Sequence, residues 1–136
     1  MKTIFVSFAL LLLASSTVFA AQPRIVQDEI EGAAALAVGA YKASGMSGVA
    51  NQSKDCWQKV GLKSYLCLYL DLAGRYIDQS TAKHANFPQT PYFTDEEFGS
   101  RAAEVYRFNN VDMQIANKHL STAQPKVNSA VNRVLQ

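Results

Sequence analysis

Charge of one sign is scarce in this sequence. A formal net charge of +2 leaves no strong basic excess for a nucleic acid to select, and none for an anionic lipid surface. Histidine is scarcer still. His84 and His119 have no metal-ligand spacing to each other or to the cysteines, and no H-E-x-x-H, C-x-x-C or C-x-x-C-H occurs. No G-x-S-x-G elbow is present either. A cysteine–histidine nucleophile would need a free reactive thiol, yet Cys56 and Cys67 both lie on apolar, helix-like segments. Acids are spread along the chain at Asp71, Asp78, Asp95, Glu96, Glu97, Glu104 and Asp112. Paired carboxylates of a glycosidase are one reading of them; solvated helix faces and caps are the ordinary one. Internal repeats, low-complexity tracts and sustained β alternation are missing. The expectation is a protein with no catalytic residues, no metal and no cofactor.

What is present begins at the N-terminus. Lys2 supplies a positive start, Ile4–Ala14 is apolar apart from Ser7, and Ser15–Ala20 ends with Val18 and Ala20 at −3 and −1. This is the layout of a secretory signal peptide cleaved after Ala20. The apolar run falls short of the roughly 20 residues that span a bilayer core. No cysteine follows the cleavage site, which excludes a lipoprotein. The reading predicts an exported, periplasmic protein whose mature part, residues 21–136, is one domain with no membrane segment.

An exported chain with two cysteines points to one disulfide, Cys56–Cys67, with two buried free thiols or a zinc site shared with a distant histidine as alternatives. Eleven residues of continuous helix span about 16 Å, whereas a disulfide holds Cα atoms within about 7 Å. The chain must therefore turn between the two cysteines, and Gly61 is the strong breaker there.

Periodicity predicts an all-α bundle of five or six helices. Pro23 is placed to start the first, with Val26, Ile30, Ala33, Ala37, Ala40 and Tyr41 on one face. Ser44–Gly48 reads as a turn before a second helix that ends at Gly61. The strongest stripe follows: Leu62, Tyr65, Leu66, Tyr69, Leu72, Ala73, Tyr76 and Ile77, widened by Leu68 and Leu70, with Asp71, Arg75 and Asp78 on the other side. Thr94 and Glu97 form a capping-box pattern before Phe98, Ala102, Val105 and Tyr106. Asn110 is placed to cap the next helix, and Pro125 to start a short last one.

Lys83–Phe93 interrupts this pattern with two prolines and three aromatics. Proline stiffens a loop, and aromatic rings bring contact area at low entropy cost, so Phe87, Tyr92 and Phe93 are candidate partner-binding anchors. The opposing reading folds these rings back over the core, with Phe93 as a hydrophobic staple before Thr94.

The signal peptide, Cys56-Trp57, Cys67-Leu68-Tyr69-Leu70-Asp71 and the helical pattern to Leu135 together resemble the type VI secretion amidase immunity proteins. That resemblance implies a periplasmic protein, often a homodimer, that binds a peptidoglycan amidase effector and blocks its cleft with a loop. Two other classes stay open. One is a general periplasmic helical binding or stress protein, the other an enzyme with a carboxylate site. A Cys–His amidase encoded beside this chain would separate the first from the rest.

Overall fold

Eight consecutive residues, Cys67 to Gly74, are buried, and the helix that carries them is the axis of the molecule. The computed structural model describes residues 22–136; the expected Met1–Ala20 signal peptide lies outside them. Four α-helices run in order: α1 (Gln27–Lys59), α2 (Leu66–Ala85), α3 (Asp95–Phe108) and α4 (Met113–Leu135). Short 3-10 turns at Gly61–Lys63 and Pro91–Phe93 precede α2 and α3. There are no strands among the described residues. The longest interfaces are α1 on α2 and α4 on both, while α3 joins through α2 and the two 3-10 turns. No described helix is long and apolar enough to cross a membrane.

The count of four corrects the expected five or six, for two physical reasons. At Ser44 and Gly45 the backbone leaves helical dihedrals, but the helix resumes at once, so the expected turn is a kink within α1. At Pro125 the inward stripe Ala116, His119, Ala123, Val127, Ala130 and Val131 continues without a change of phase. Pro125 and Ser121 are both exposed, so water can reach the Ser121 carbonyl that the proline leaves unpaired. Three start points also move. The helix expected from Leu62 begins at Leu66, because Gly61–Lys63 forms its own 3-10 turn and Ser64 is extended. Residues 22–26 are not helical, and the Arg24 carbonyl accepts the Tyr69 hydroxyl at 3.2 Å, so α1 begins after Val26 rather than at Pro23. Asp112, not Asn110, caps α4 by accepting from the Gln114 amide at 2.8 Å; Asn110 takes the left-handed conformation that ends α3.

The turn that the cysteine spacing demands is present. Gly61 has φ +71°, a conformation that side chains rarely adopt, and the chain reverses there. Cys56 and Cys67 are then joined in a disulfide with Cα atoms 5.6 Å apart. Tying an 11-residue loop removes unfolded-state freedom worth about 3 kcal/mol. The Asn109 amide bonds the Leu62 carbonyl at 2.8 Å, fastening this turn to the end of α3.

Close approach is required at Gly74. A Cβ there would lie 2.6 Å from the ring of Phe93 and 2.9 Å from Val49. The missing side chain is the notch in which Phe93 is seated, with no exposed surface. Gly74→Ala is expected to cost 1–3 kcal/mol through overpacking, roughly the range for inserted core methylenes. Combined with Phe93→Leu, the two losses should fall short of their sum; chemical denaturation of the four proteins checks this.

A second tie is polar. Buried His119 on α4 accepts or donates at both ring nitrogens. The Tyr106 hydroxyl is 2.6 Å from Nδ1, and the Tyr69 hydroxyl is 3.0 Å from Nε2. Because Tyr69 donates to Arg24, its oxygen accepts from Nε2–H, and Tyr106 donates to Nδ1. The network closes only around a neutral ring. Tyr65 packs 4.9 Å from it, and Lys118 lines the same surface pocket. Burial pushes the imidazole below its ordinary value of 6.5, against a weaker pull from the Arg24 carbonyl. The unfolded chain therefore takes up a proton that the folded chain refuses. This stability is fully present above pH 6.5 and is lost as pH falls below it toward the folded pKa. Urea unfolding at pH 7.5 and 5.5 should show a loss, at most about 1.4 kcal/mol per pH unit from one group, that His119→Gln diminishes.

Candidate functional site

Asp71 is the only charge in the buried run of α2, and its side chain is 0% exposed. Burying an unpaired carboxylate is prohibitive, so three neighbours answer it. The Ser53 hydroxyl of α1 donates to Oδ1. Trp57 Nε1, also on α1, donates to Oδ2 at 3.3 Å, and Arg101 Nε on α3 donates to Oδ2 at 2.6 Å. Ser53 has one proton and gives it to Asp71, so its contact with Tyr92 at 2.8 Å must run the other way, with the tyrosine hydroxyl donating. Arg101 holds Tyr92 twice more. Its Nη2 donates to the Tyr92 carbonyl at 2.9 Å, and its guanidinium lies 3.8 Å from the ring centroid. One carboxylate thus joins α1, α2, α3 and the 3-10 turn that precedes α3. Burial pushes the Asp71 carboxyl above the ordinary carboxylate value, while Arg101, then the Ser53, Arg101 and Trp57 hydrogen bonds, pull it down.

Above this network a cleft of about 450 Å³ opens between α1 and α3. Trp57, Tyr92 and Leu62 supply its apolar surface. Lys54 and Gln58 rim it from α1, with Glu104 and Arg101 on α3. The Lys54 ammonium lies 5.3 Å from the Tyr92 ring centroid, on a ring already stacked with Arg101.

Beside the cleft the chain from α2 to α3 forms a fixed loop. Asn86 ends α2 in the left-handed conformation that asparagine tolerates, and the Asn86 and Phe87 amides both reach the Ala82 carbonyl. At the far end buried Asp78 accepts from the Thr90 amide, at 3.0 and 3.2 Å, and from its hydroxyl. Gln89 bonds the Phe93 carbonyl at 3.0 Å. Thr94 then caps α3 by accepting from the Glu97 amide at 3.4 Å. The reciprocal half of the capping box is replaced, because the Thr94 amide bonds Pro91 and Glu97 faces Arg101.

The three sequence candidates separate. Phe87 is 68% exposed at the tip of the loop. Tyr92 is half-buried between Ser53 and Arg101 and lines the cleft. Phe93 is a correction: its ring fills the Gly74 notch and has no surface to offer a partner. Asp71 and Asp78, read from sequence as belonging to a solvated face, are buried organisers instead. Asp71 did carry one signal, since an acid between Leu70 and Leu72 inside the run from Tyr65 to Ala73 has no easy route to water. Ser53 and Arg101 carried none. Among the described residues, no group of three or more His, Cys, Asp or Glu side chains converges as metal ligands would. Compared with protein-family models, curated proteins and solved structures, the chain finds no match.

Removing the carboxylate should be costly because it strands a guanidinium whose side chain is only 16% exposed. Asp71→Ala is expected to lose roughly 3–5 kcal/mol, as for a broken buried pair. Asp71→Asn should lose less, since its amide can donate to Ser53 if the Ser53–Tyr92 hydrogen bond reverses direction. Thermal and urea unfolding would rank the two; equal losses would contradict this.

Proposed function

We propose that this chain is a periplasmic immunity protein that binds a type VI secretion peptidoglycan amidase effector and occludes its active-site cleft. The observation that supports this most is Phe87. A large apolar ring stands in solvent on a loop whose two ends are fixed, at Ala82 on one side and Asp78 on the other. An isolated phenylalanine on a mobile tail would bind at a high ordering cost; one on a pre-set loop avoids much of that. Occlusion also asks no chemistry of the inhibitor, only a rigid scaffold and a projecting group. The Asp71 network and the disulfide provide the first, and Phe87 with Pro88 the second.

The chain should inhibit a Cys–His peptidoglycan amidase encoded beside it, at near-stoichiometric ratio. Phe87→Ala should weaken binding by roughly thirtyfold or more, the loss typical of a central aromatic anchor. Its melting temperature should stay unchanged, since the ring is exposed. Tyr92→Ala is expected to lower the melting temperature, because it breaks the contacts to Ser53 and Arg101. Calorimetric binding and thermal melting on the same variants separate anchor from scaffold. Normal binding by a folded Phe87→Ala variant removes this loop as the inhibitory element. Failure to inhibit that amidase at all would return the chain to the class of general helical binding proteins.

A further inference from the structure

The cleft between α1 and α3 has charged rims, and the Arg101 guanidinium that lines it is partly offset by buried Asp71. At the edges the charges stay apart. Lys54 on α1 is exposed and makes no ion pair with any described residue, and the same holds for Glu104 on α3. Both line the same cleft without meeting within 4 Å, and apolar surface from Trp57 and Leu62 lies in it with them. Arg101 Nη1 has only a 4.0 Å contact to exposed Glu97, leaving a donor for something further. Two solvated surface charges would be unremarkable alone. Here they share an aromatic cavity of about 450 Å³, within the usual size range of small-molecule sites, with an organised polar base beneath it.

The charge pattern narrows the occupant. A simple anion drawn to Lys54 would meet Glu104 across the cleft. A simple cation drawn to Glu104 would meet Lys54 and Arg101. A molecule carrying both signs satisfies both walls. We propose that this cleft binds a small zwitterion with an apolar body, whose carboxylate faces Lys54 and Arg101 Nη1, whose ammonium faces Glu104, and whose body rests on Trp57 and Leu62. Free amino acids and short peptides with free ends share this chemistry. The site is independent of the amidase reading, which rests on Phe87.

Trp57 is the single tryptophan of the chain, so its fluorescence reports this cleft without labelling. The full chain is titrated with L-phenylalanine and with the dipeptide Phe-Phe. In parallel it is titrated with N-acetylphenylalanine, which lacks the ammonium, and phenylalaninamide, which lacks the carboxylate. A saturable change with L-phenylalanine or with Phe-Phe is expected, and the tighter of the two identifies the source. Either blocked form should bind on the order of tenfold more weakly, as should the wild-type ligand on Lys54→Gln or Glu104→Gln. Those two side chains are exposed, so circular dichroism and melting should not change. No saturable response to either zwitterion up to about 10 mM would overturn the site, as would blocked forms that bind as well as the free ones.

Discussion

A carboxylate with no access to water must find its partners inside the protein, and most of this molecule is arranged around that requirement at Asp71. Its partners come from different parts of the chain: Ser53 and Trp57 from α1, Arg101 from α3. Through Ser53 and Arg101 the same group holds Tyr92. Hydrophobic burial would allow α3 to slide or rotate on α2 at modest cost, because apolar contact is not directional. The hydrogen bonds to one carboxylate do not allow it. They also explain why the 3-10 turn at Pro91–Phe93 has a defined position, which in turn seats Phe93 in the Gly74 notch.

The disulfide and the His119 network complete the frame at other points. The Cys56–Cys67 bridge joins the end of α1 to the start of α2, adjacent in sequence to Trp57 and Leu68. His119 joins α4 to Tyr69 of α2 and Tyr106 of α3, and Tyr69 extends the link to Arg24. Each tie crosses between helices that hydrophobic periodicity alone would leave free to choose a register. The loop carrying Phe87 inherits its stability from this frame, with Asp78 as its own local clamp.

Much of the helical layout is legible in the sequence because it is local. The α2 stripe, the Thr94 cap and the Gly61 turn each follow from a few neighbouring residues. The Cys56–Cys67 pairing is expected from the export signal and the cysteine count, and the spacing then requires the turn. Errors arise where a local signal meets a tertiary one. Pro23 and Pro125 look like helix starts, yet the Arg24 carbonyl has a tertiary partner and the α4 stripe runs unbroken through Pro125. Ser44–Gly48 looks like a turn and is a kink, since the backbone departs from helix over only two residues. The site was the least legible part. Asp71 and Arg101 are 30 residues apart, and nothing in either neighbourhood names the other. Phe87 and Phe93 were both candidate anchors in sequence, and the notch at Gly74 is what buries one ring and leaves the other exposed.

The Asp71–Arg101 pair holds the turn before α3 in place. Amide hydrogen exchange on an Arg101→Met variant tests it most directly. The Phe93 and Thr94 amides, bonded to Thr90 and Pro91 in the intact protein, should lose protection, while amides in the buried middle of α2 keep most of theirs. Unchanged exchange at Phe93 and Thr94 would contradict this and leave the Asp78–Thr90 hydrogen bonds and hydrophobic packing as the supports of the loop.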